Sequence, residues 1–125
     1  MGIAHHSNYV VWLEMGRVDF LDRAGFPYRD VEKRGVLLVV SGIGVKYRRP
    51  AVFDDEILIT TRVGVLKSRL VRFEYALERV SDNALLAEAF SEHIATDLDK
   101  RAIPIPQFLR ELLERGSSIG ATTRV

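Results

Sequence analysis

The sequence predicts an α+β fold in which one long helix is wrapped by a curved antiparallel sheet of about five strands. Two patterns favour it. A long apolar helical segment stands near the beginning of the chain, and segments of alternating polarity joined by short turns follow it. Strands joined by such short turns pair in the antiparallel direction. Because 125 residues make one domain, the helix and the sheet must share one core.

The first element is predicted as a helix from Tyr9 to Ala24. Ser7 or Asn8 supplies an N-cap, and Gly25 occupies the position of a left-handed C-terminal cap. Apolar residues occur on almost every side of this helix, whereas an amphipathic surface helix has a narrower apolar stripe. We therefore expect other structure to cover most of its surface.

Four strand candidates, at 36–48, 56–66, 68–80 and 84–97, follow a short helical turn at 28–34. The alternation places one set of residues on a common face of each of the first three strands: Val39, Ser41, Ile43, Val45 and Tyr47, then Ile57, Ile59, Thr61, Val63 and Val65, and most regularly Val71, Phe73, Tyr75 and Leu77. One face of the last strand carries mostly small residues. A row of small side chains lets another element approach closely, and the first helix is the expected one.

A last helix is predicted from Gln107 to Arg115, after Pro104 and Pro106 break the chain. The segment 116–125 is rich in Ser, Thr and Gly, and we expect it to be a frayed, flexible tail. The predicted domain therefore covers residues 1–115.

The composition excludes several classes of function. A net charge of +1 provides no global field for nucleic acid or an anionic membrane, and the absence of cysteine excludes disulfides, thiolate metal sites and a cysteine nucleophile. No segment approaches the roughly 18 apolar residues that span a bilayer, so we expect no membrane insertion. The N-terminus lacks the features of a signal peptide, and a cytoplasmic location is expected.

The densest chemical signal lies directly before the first helix, at Gly2, His5 and His6. Unpaired N–H groups at a helix start carry the positive end of the helix dipole and can stabilise the oxyanion that forms on a substrate carbonyl. Gly2 permits a close ligand approach, and His6 can donate a hydrogen bond. Two adjacent histidines before a helix are also commonly exposed residues without a role. A metal site is not expected, because the remaining histidine, His93, has no acidic residues patterned around it.

Several motifs together resemble the 4-hydroxybenzoyl-CoA thioesterase family. They are MGIAHHSNY at 1–9, WLE at 12–14, RVDFL at 17–21, YRRPA at 47–51, DDE at 54–56, SR at 68–69, HIATD at 93–97 and RAIPIP at 101–106. The resemblance is closest to the bacterial short-chain acyl-CoA thioesterases, some of which are linked to the Tol-Pal system. It extends to about Arg115, and it implies the hotdog fold.

The resemblance also implies an activity and a site. A short-chain or aromatic acyl-CoA would be hydrolysed to the free acid and CoA, with Gly2 and His6 in the catalytic site and the N–H of His6 facing the thioester carbonyl. The catalytic aspartate would lie three residues before Gly2, which is upstream of Met1. Residues that would contact the substrate are His5, Asn8, Tyr9 and Glu14. No cofactor is implied beyond the CoA of the substrate, and the expected assembly is a homodimer or homotetramer.

Cationic residues at strand ends are candidates for binding the CoA phosphates. The family resemblance favours the turn Lys67-Ser68-Arg69, with Arg49 as a further contact, while Arg48 and Arg72 are weaker candidates. Ordinary solvated strand ends would have the same composition. Two other functions stay open: a non-catalytic acyl-CoA-binding hotdog module, and a hydroxyacyl-thioester dehydratase, whose typical His followed by Gly-x-Pro is absent here.

Overall fold

The computed structural model of the chain describes residues 7–52, 54–117 and 121–124, with side chains described for 9–52 and 54–115. Its elements are α1 (Ser7–Arg23), α2 (Tyr28–Lys33), β1 (Leu37–Tyr47), β2 (Ile57–Leu66), β3 (Leu70–Arg79), β4 (Leu85–Thr96), α3 (Gln107–Ser117) and β5 (Ala121–Arg124). The strands form one antiparallel sheet in the order β1-β4-β3-β2-β5. The predicted α+β class with one helix against an antiparallel sheet is confirmed.

Helix α1 begins at Ser7, so both residues expected to precede it as caps already belong to its first turn. It ends as predicted, with Gly25 in the left-handed region at φ +91°. The amide of Gly25 donates to the carbonyl of Asp22, and that of Phe26 donates to the carbonyl of Leu21. The chain leaves the helix through this glycine because a left-handed backbone costs a residue without a Cβ very little.

A close contact between α1 and the sheet occurs at Gly16, over β2 and β3. A Cβ at this position would lie 2.5 Å from Oγ1 of Thr61 and 3.1 Å from Cγ2 of Ile59. We call the face of the sheet that meets α1 the inner face. The small residue that lets the helix approach the sheet is thus Gly16 of the helix itself, and the strand beneath it is β2. The sequence predicted this close approach over the small residues of β4 instead.

A β-bulge in β1 changes the face predicted for two of its residues. The register shifts between Val40 and Gly42, so that Val40 pairs with His93 and Ile43 pairs with Ser91. Cross-strand partners share a face, which places Val40 and Ile43 on the inner face. The prediction for Val39 and Ser41 was wrong, because one extra residue in the bulge reverses the alternation at this point.

Strand β2 carries a similar irregularity between Val63 and Val65. Ile57, Ile59, Thr61 and Val63 are buried as predicted, but Val65 pairs with Arg72 on the outer face. Strand β3 is regular, and its predicted inner residues are all buried: Val71, Phe73, Tyr75 and Leu77.

The expectation that other structure covers most of α1 was wrong for the single chain. The sheet meets one side of α1, where Tyr9, Leu13 and Phe20 are buried. The other side exposes four large apolar residues: Val10, Val11, Met15 and Val18. We call these four residues the open face of α1. None of the described helices is both long and apolar enough to cross a bilayer.

The C-terminal segment also departs from the prediction. Helix α3 continues to Ser117 and buries Leu109, Leu112 and Leu113. Beyond it, Ala121–Arg124 forms β5 and pairs with residues 58–61 of β2. Four residues of the expected flexible tail therefore belong to the sheet. The prediction missed them because backbone pairing with a neighbouring strand needs no apolar side-chain pattern that a sequence would reveal.

Candidate functional site

The residues predicted just before α1 lie largely outside the described part of the chain. Gly2, His5 and His6 are not described, and of Asn8 only the backbone is. Their proposed roles in catalysis and substrate binding stay predictions. The described part of the site begins at Tyr9.

Tyr9, in the first turn of α1, is only 3% exposed. Its ring packs edge-to-face on Trp12 and on Tyr47, with centroid separations of 5.1 and 5.0 Å. Burial raises the pKa of the Tyr9 phenol, and a hydrogen bond with the backbone of Ala51 lowers it by a smaller amount. A neutral hydroxyl therefore joins the start of α1 to the segment that follows β1.

That segment is held in place by Arg79, a residue that no motif or spacing in the sequence selected. Its guanidinium donates to Oδ2 of Asp55 at 3.0 Å, to Oδ2 of Asp82 at 3.0 Å and to the carbonyl of Pro50 at 2.9 Å. The hydrogen bond from the backbone N–H of Val52 is the main reason why the pKa of Asp55 lies below its ordinary value. The hydrogen bond from Arg79 lowers this pKa further. These contacts hold the described residues of the loop at 50–55 beside Tyr9, which accounts for Asp55 of the DDE motif in structural terms.

An apolar strip lies exposed on the inner face of β1. We call Val40, Ile43 and Tyr47 the β1 strip. Each is between 43% and 52% exposed although the corresponding face of β3 is buried. The reason is that α1 contacts the sheet over β5, β2 and β3, toward the edge opposite β1. The strip is adjacent to the start of α1, because Tyr47 contacts Tyr9.

Glu14 is exposed on α1, one residue after buried Leu13. At ~1.5 Å of rise per residue, it lies about 7 Å further along the helix axis than Tyr9. No ion pair among the described residues includes it. The structure thus keeps Glu14 available to a ligand, but not in the first turn where the predicted carbonyl site lies.

The four predicted CoA-binding residues do not converge within one chain. Lys67, Ser68 and Arg69 form the exposed turn between β2 and β3. Arg49 lies at the opposite end of the sheet, where its amide donates to the carbonyl of Leu86. The two ends are separated by the length of β3, and a strand of this size is roughly 30 Å long. Grouping Arg49 with the turn was therefore wrong for a single subunit.

The turn at 67–70 is supported by the C-terminal part of the chain. Nη2 of Arg110 donates to the carbonyl of Lys67 at 2.6 Å, and the amide of Ile105 donates to the carbonyl of Ser68 at 2.7 Å. The amide of Ala95 donates to the carbonyl of Arg69 at 2.9 Å. Three backbone carbonyls of the turn are therefore occupied, while its cationic side chains face outward. Sequence reasoning missed Arg110, because nothing in a helix pattern shows which carbonyls an arginine reaches.

The two weaker candidates are engaged elsewhere. Arg48 forms an ion pair with Glu88 at 3.3 Å. The guanidinium of Arg72 lies 3.9 Å from the centroid of the Phe90 ring and 3.8 Å from a carboxylate oxygen of Glu74. Arg72 and Glu88 line an open groove of about 690 Å³ on the outer face of the sheet. Both cations thus stabilise the outer surface of the sheet.

A buried polar cluster lies under α1, on β3 and β4. The hydroxyl of Tyr75 is 2.6 Å from Oγ of Ser91, which in turn is 2.9 Å from Nε2 of His93. All three residues are almost fully buried. Burial is the larger of two effects that lower the pKa of His93 to about 4, and the positive charge of Arg17 is the smaller. The imidazole is therefore neutral at physiological pH. The described residues contain no group of three or more His, Cys, Asp and Glu side chains placed to hold a metal ion.

Comparisons with known proteins agree with this architecture. The family model described as the thioesterase-like superfamily matches residues 1–113. YneP of Bacillus subtilis, named as a candidate acyl-CoA thioesterase, is 33% identical over 97 residues, which cover 78% of this chain and 70% of YneP. The long-chain acyl-CoA thioesterase FadM of Escherichia coli is 26% identical over 112 residues, covering 89% of this chain and 84% of FadM.

A solved structure supports the fold directly. The protein TT1821 from Thermus thermophilus is 43% identical to this chain and superposes with a TM-score of 0.85, covering 93% of this chain and 88% of its own. With a family match over most of its length, and with one helix laid across an antiparallel sheet, the chain belongs to the thioesterase-like superfamily and has a hotdog fold.

Proposed function

We propose that the chain hydrolyses the thioester bond of a short-chain or aromatic acyl-CoA, releasing the carboxylic acid and CoA. The carbonyl is placed at the first turn of α1 and the acyl group on the β1 strip. The observation that carries this placement is the anchored start of α1. Tyr9 is buried there, bonded to the fixed loop at 50–55, and in contact with an otherwise exposed apolar strip.

The proposed reaction requires a stabilised oxyanion and an activated water. Water adds its oxygen to the carbonyl carbon and gives one proton to the carboxylate that the family resemblance implies three residues before Gly2. The carbonyl oxygen accepts a hydrogen bond from the N–H of His6 next to the positive end of the helix dipole. The intermediate then collapses, the C–S bond breaks, and the CoA thiolate leaves and takes up a proton. Gly2 gives the substrate room, and His5, Asn8 and Glu14 contact it from the sides.

One observation keeps a second candidate function in view. Asp55 acts electrostatically on Tyr9, yet its carboxylate is already occupied by Arg79 and the amide of Val52. It is therefore poorly suited to act as a base at the start of α1. A non-catalytic acyl-CoA-binding module would need no such base, and the test below separates the two functions.

The test pairs a binding measurement with a turnover measurement on the same chain. We expect calorimetry to detect binding of a thioether analogue of acyl-CoA, and a thiol assay to detect CoA release above the uncatalysed rate from a short-chain and an aromatic acyl-CoA. Binding without any enzymatic release, both by this chain and by one extended upstream to include an aspartate three residues before Gly2, would support the binding module. Absence of both would contradict the proposal as a whole.

The Lys67-Ser68-Arg69 turn is proposed to bind the CoA phosphates. Arg69→Ala is expected to weaken binding of an acyl-CoA by about 1–3 kcal/mol, the range for hydrogen bonds to charged groups, and to leave binding of the same acyl group on a short thiol carrier unchanged. Arg62→Ala, which removes an exposed arginine on the outer face of β2, is the control and should affect neither ligand. Equal losses for both ligands would show that Arg69 only supports the strand end.

A homo-oligomer is proposed from the open face of α1. Four exposed apolar side chains on one helix, together with the β1 strip beside it, form a surface that a second copy can cover. Light scattering at micromolar concentration is expected to show at least a dimer. The replacement Val11→Lys should lower the apparent mass, and a wild-type monomer would contradict the proposal.

A further inference from the structure

A chain of polar groups crosses the interface between α1 and the sheet. It begins at Arg17, which follows the close contact at Gly16, and continues through Tyr75, Ser91 and His93. Burial raises the pKa of the Tyr75 phenol, while hydrogen bonding to Ser91 and the charge and hydrogen bonding of Arg17 lower it, so the guanidinium lies against the hydroxyl. The same guanidinium acts electrostatically on His93. This row of polar groups thus joins the middle of the helix to β3 and β4.

Arg17 has no carboxylate partner in the part of the chain that the structure describes, because none of the ion pairs there includes it. A partly buried cation usually lies beside an anion, because burying an unpaired charge is costly. Here the cation faces neutral side chains. Its position is therefore explained by the polar chain and not by charge neutralisation within the subunit.

The charge of Arg17 fixes the direction of every hydrogen bond in the chain. A guanidinium can only donate, so the oxygen of Tyr75 turns toward it and the single hydroxyl proton of Tyr75 points away, to Oγ of Ser91. The proton of Ser91 then has Nε2 of His93 as its acceptor. Nε2 consequently carries no proton, and the neutral imidazole of His93 carries its proton on Nδ1.

The opposite side of the imidazole agrees with this tautomer. The backbone of Leu38 raises the pKa of His93, as a hydrogen-bond acceptor does. Nδ1 lies buried without a regular hydrogen bond in the described part of the chain, so the contact with Leu38 is weak. The direction of the chain is therefore set at its Arg17 end, by a full charge, and not at its Leu38 end.

We propose that Arg17 is a positioning residue, which locks the rotation and height of α1 on the sheet through the directed chain Tyr75–Ser91–His93. This inference rests on the proposed function in one respect: the first turn of α1 is where that function places the thioester carbonyl. Arg17 lies eight residues after Tyr9, about 12 Å along a rigid helix. A small rotation at Arg17 therefore displaces the whole first turn.

Two anchors at different heights define the helix. Tyr9 fixes the first turn to the loop at 50–55, and Gly16 with Arg17 fixes the middle to β2, β3 and β4. Gly16 lets the helix approach but has no side chain to resist rotation. Arg17 supplies that resistance, because its guanidinium satisfies the polar chain in one orientation of the helix.

The first arm of the test reads the tautomer of His93 from its ¹⁵N chemical shifts. In the wild-type chain, Nδ1 should be protonated and Nε2 unprotonated. Arg17→Met removes the charge that sets the direction, so a mixture of tautomers is expected, whereas Arg17→Lys keeps the charge and should keep the wild-type tautomer. Arg23→Met, on the exposed side of the same helix, is the control and should leave the spectrum of His93 unchanged. A wild-type imidazole protonated at Nε2 would overturn the proposal.

The second arm reads the first turn of the helix. Arg17→Met and Tyr75→Phe should each shift the backbone amide resonance of Tyr9 and lower kcat by about tenfold with little change in KM, as expected when alignment and not binding is lost. Arg17→Lys should recover most of both effects. If the wild-type chain proves inactive, the proposed function fails, while the resonance of Tyr9 still decides on Arg17. Unchanged resonances in Arg17→Met and Tyr75→Phe would overturn the positioning role.

Discussion

A chain extended upstream so that an aspartate stands three residues before Gly2 is expected to hydrolyse acyl-CoA at least about 10² times faster than the 125-residue chain. The amides at a helix start and the N–H of His6 can stabilise negative charge, but they cannot deprotonate water or form an acyl intermediate. General-base catalysis contributes about 10²–10⁴ in rate, and a nucleophile contributes more. The resemblance to the 4-hydroxybenzoyl-CoA thioesterases gives that carboxylate its position.

The measurement is steady-state hydrolysis of a short-chain and an aromatic acyl-CoA by both chains. An extended chain with asparagine in place of the aspartate is the control, because it adds the same residues without a base. Equal rates for the 125-residue chain and the aspartate extension would show that the carboxylate is internal. Glu14→Gln would then be the next variant to measure, since Glu14 is exposed on α1 and has no ion-pair partner in the part of the chain that the structure describes.

The stability of the fold is expected to fall by about 3 kcal/mol between pH 6.5 and pH 4 through His93 alone. The pKa of His93 is lowered from 6.5 to about 4 in the folded chain, so within this window the unfolded chain binds a proton that the folded chain does not. Proton uptake by the unfolded state favours unfolding as the pH falls. More than about one pH unit above 6.5, both states are neutral at this residue, and its contribution is constant.

Urea unfolding at pH 7, 5.5 and 4.5 measures this effect, with His93→Gln as the comparison. The variant is expected to be less stable at pH 7, because it disturbs the bond to Ser91, but its stability should change less with pH. The other charged and titratable groups that face His93 are the guanidinium of Arg17 and the phenol of Tyr75, and burial raises the pKa of that phenol further above this window. Parallel pH profiles for the two proteins would contradict the assignment.

The sequence predicted the elements of the fold better than their faces. The regular alternation of β3 correctly placed Phe73 and Tyr75 in the core, and Gly25 correctly ended α1. The bulges of β1 and β2 were not predictable, because a single extra residue leaves the composition of a strand unchanged while it reverses every following side chain. Strand β5 was missed for a related reason, since backbone pairing with β2 needs no apolar side-chain pattern that a sequence would reveal.

The candidate site divides in the same way. Motif resemblance selected Tyr9 and the turn at 67–69. The structure buries Tyr9 beside the β1 strip and exposes the turn, and the binding roles of both stay predictions. The resemblance could not select Arg79 or Arg110, whose importance lies in the carbonyls and carboxylates that they reach across the fold. Nor could it separate Arg49 from the turn, because residues joined by one ligand in a family pattern need not be neighbours in one subunit.

The hydrogen bonds from Arg110 and Ile105 to the 67–70 turn should lower the entropy cost of binding a ligand at this turn. A loose cationic loop loses conformational freedom when it closes on a phosphate, at about 0.5–1.5 kcal/mol for each long side chain that becomes ordered, in addition to the cost of ordering its backbone. Here the backbone cost is met during folding, because the carbonyls of Lys67 and Ser68 are already bonded. Coenzyme affinity should therefore depend on the helical stability of α3, and a mutation that loosens α3 should accelerate ligand dissociation without altering any cation of the turn.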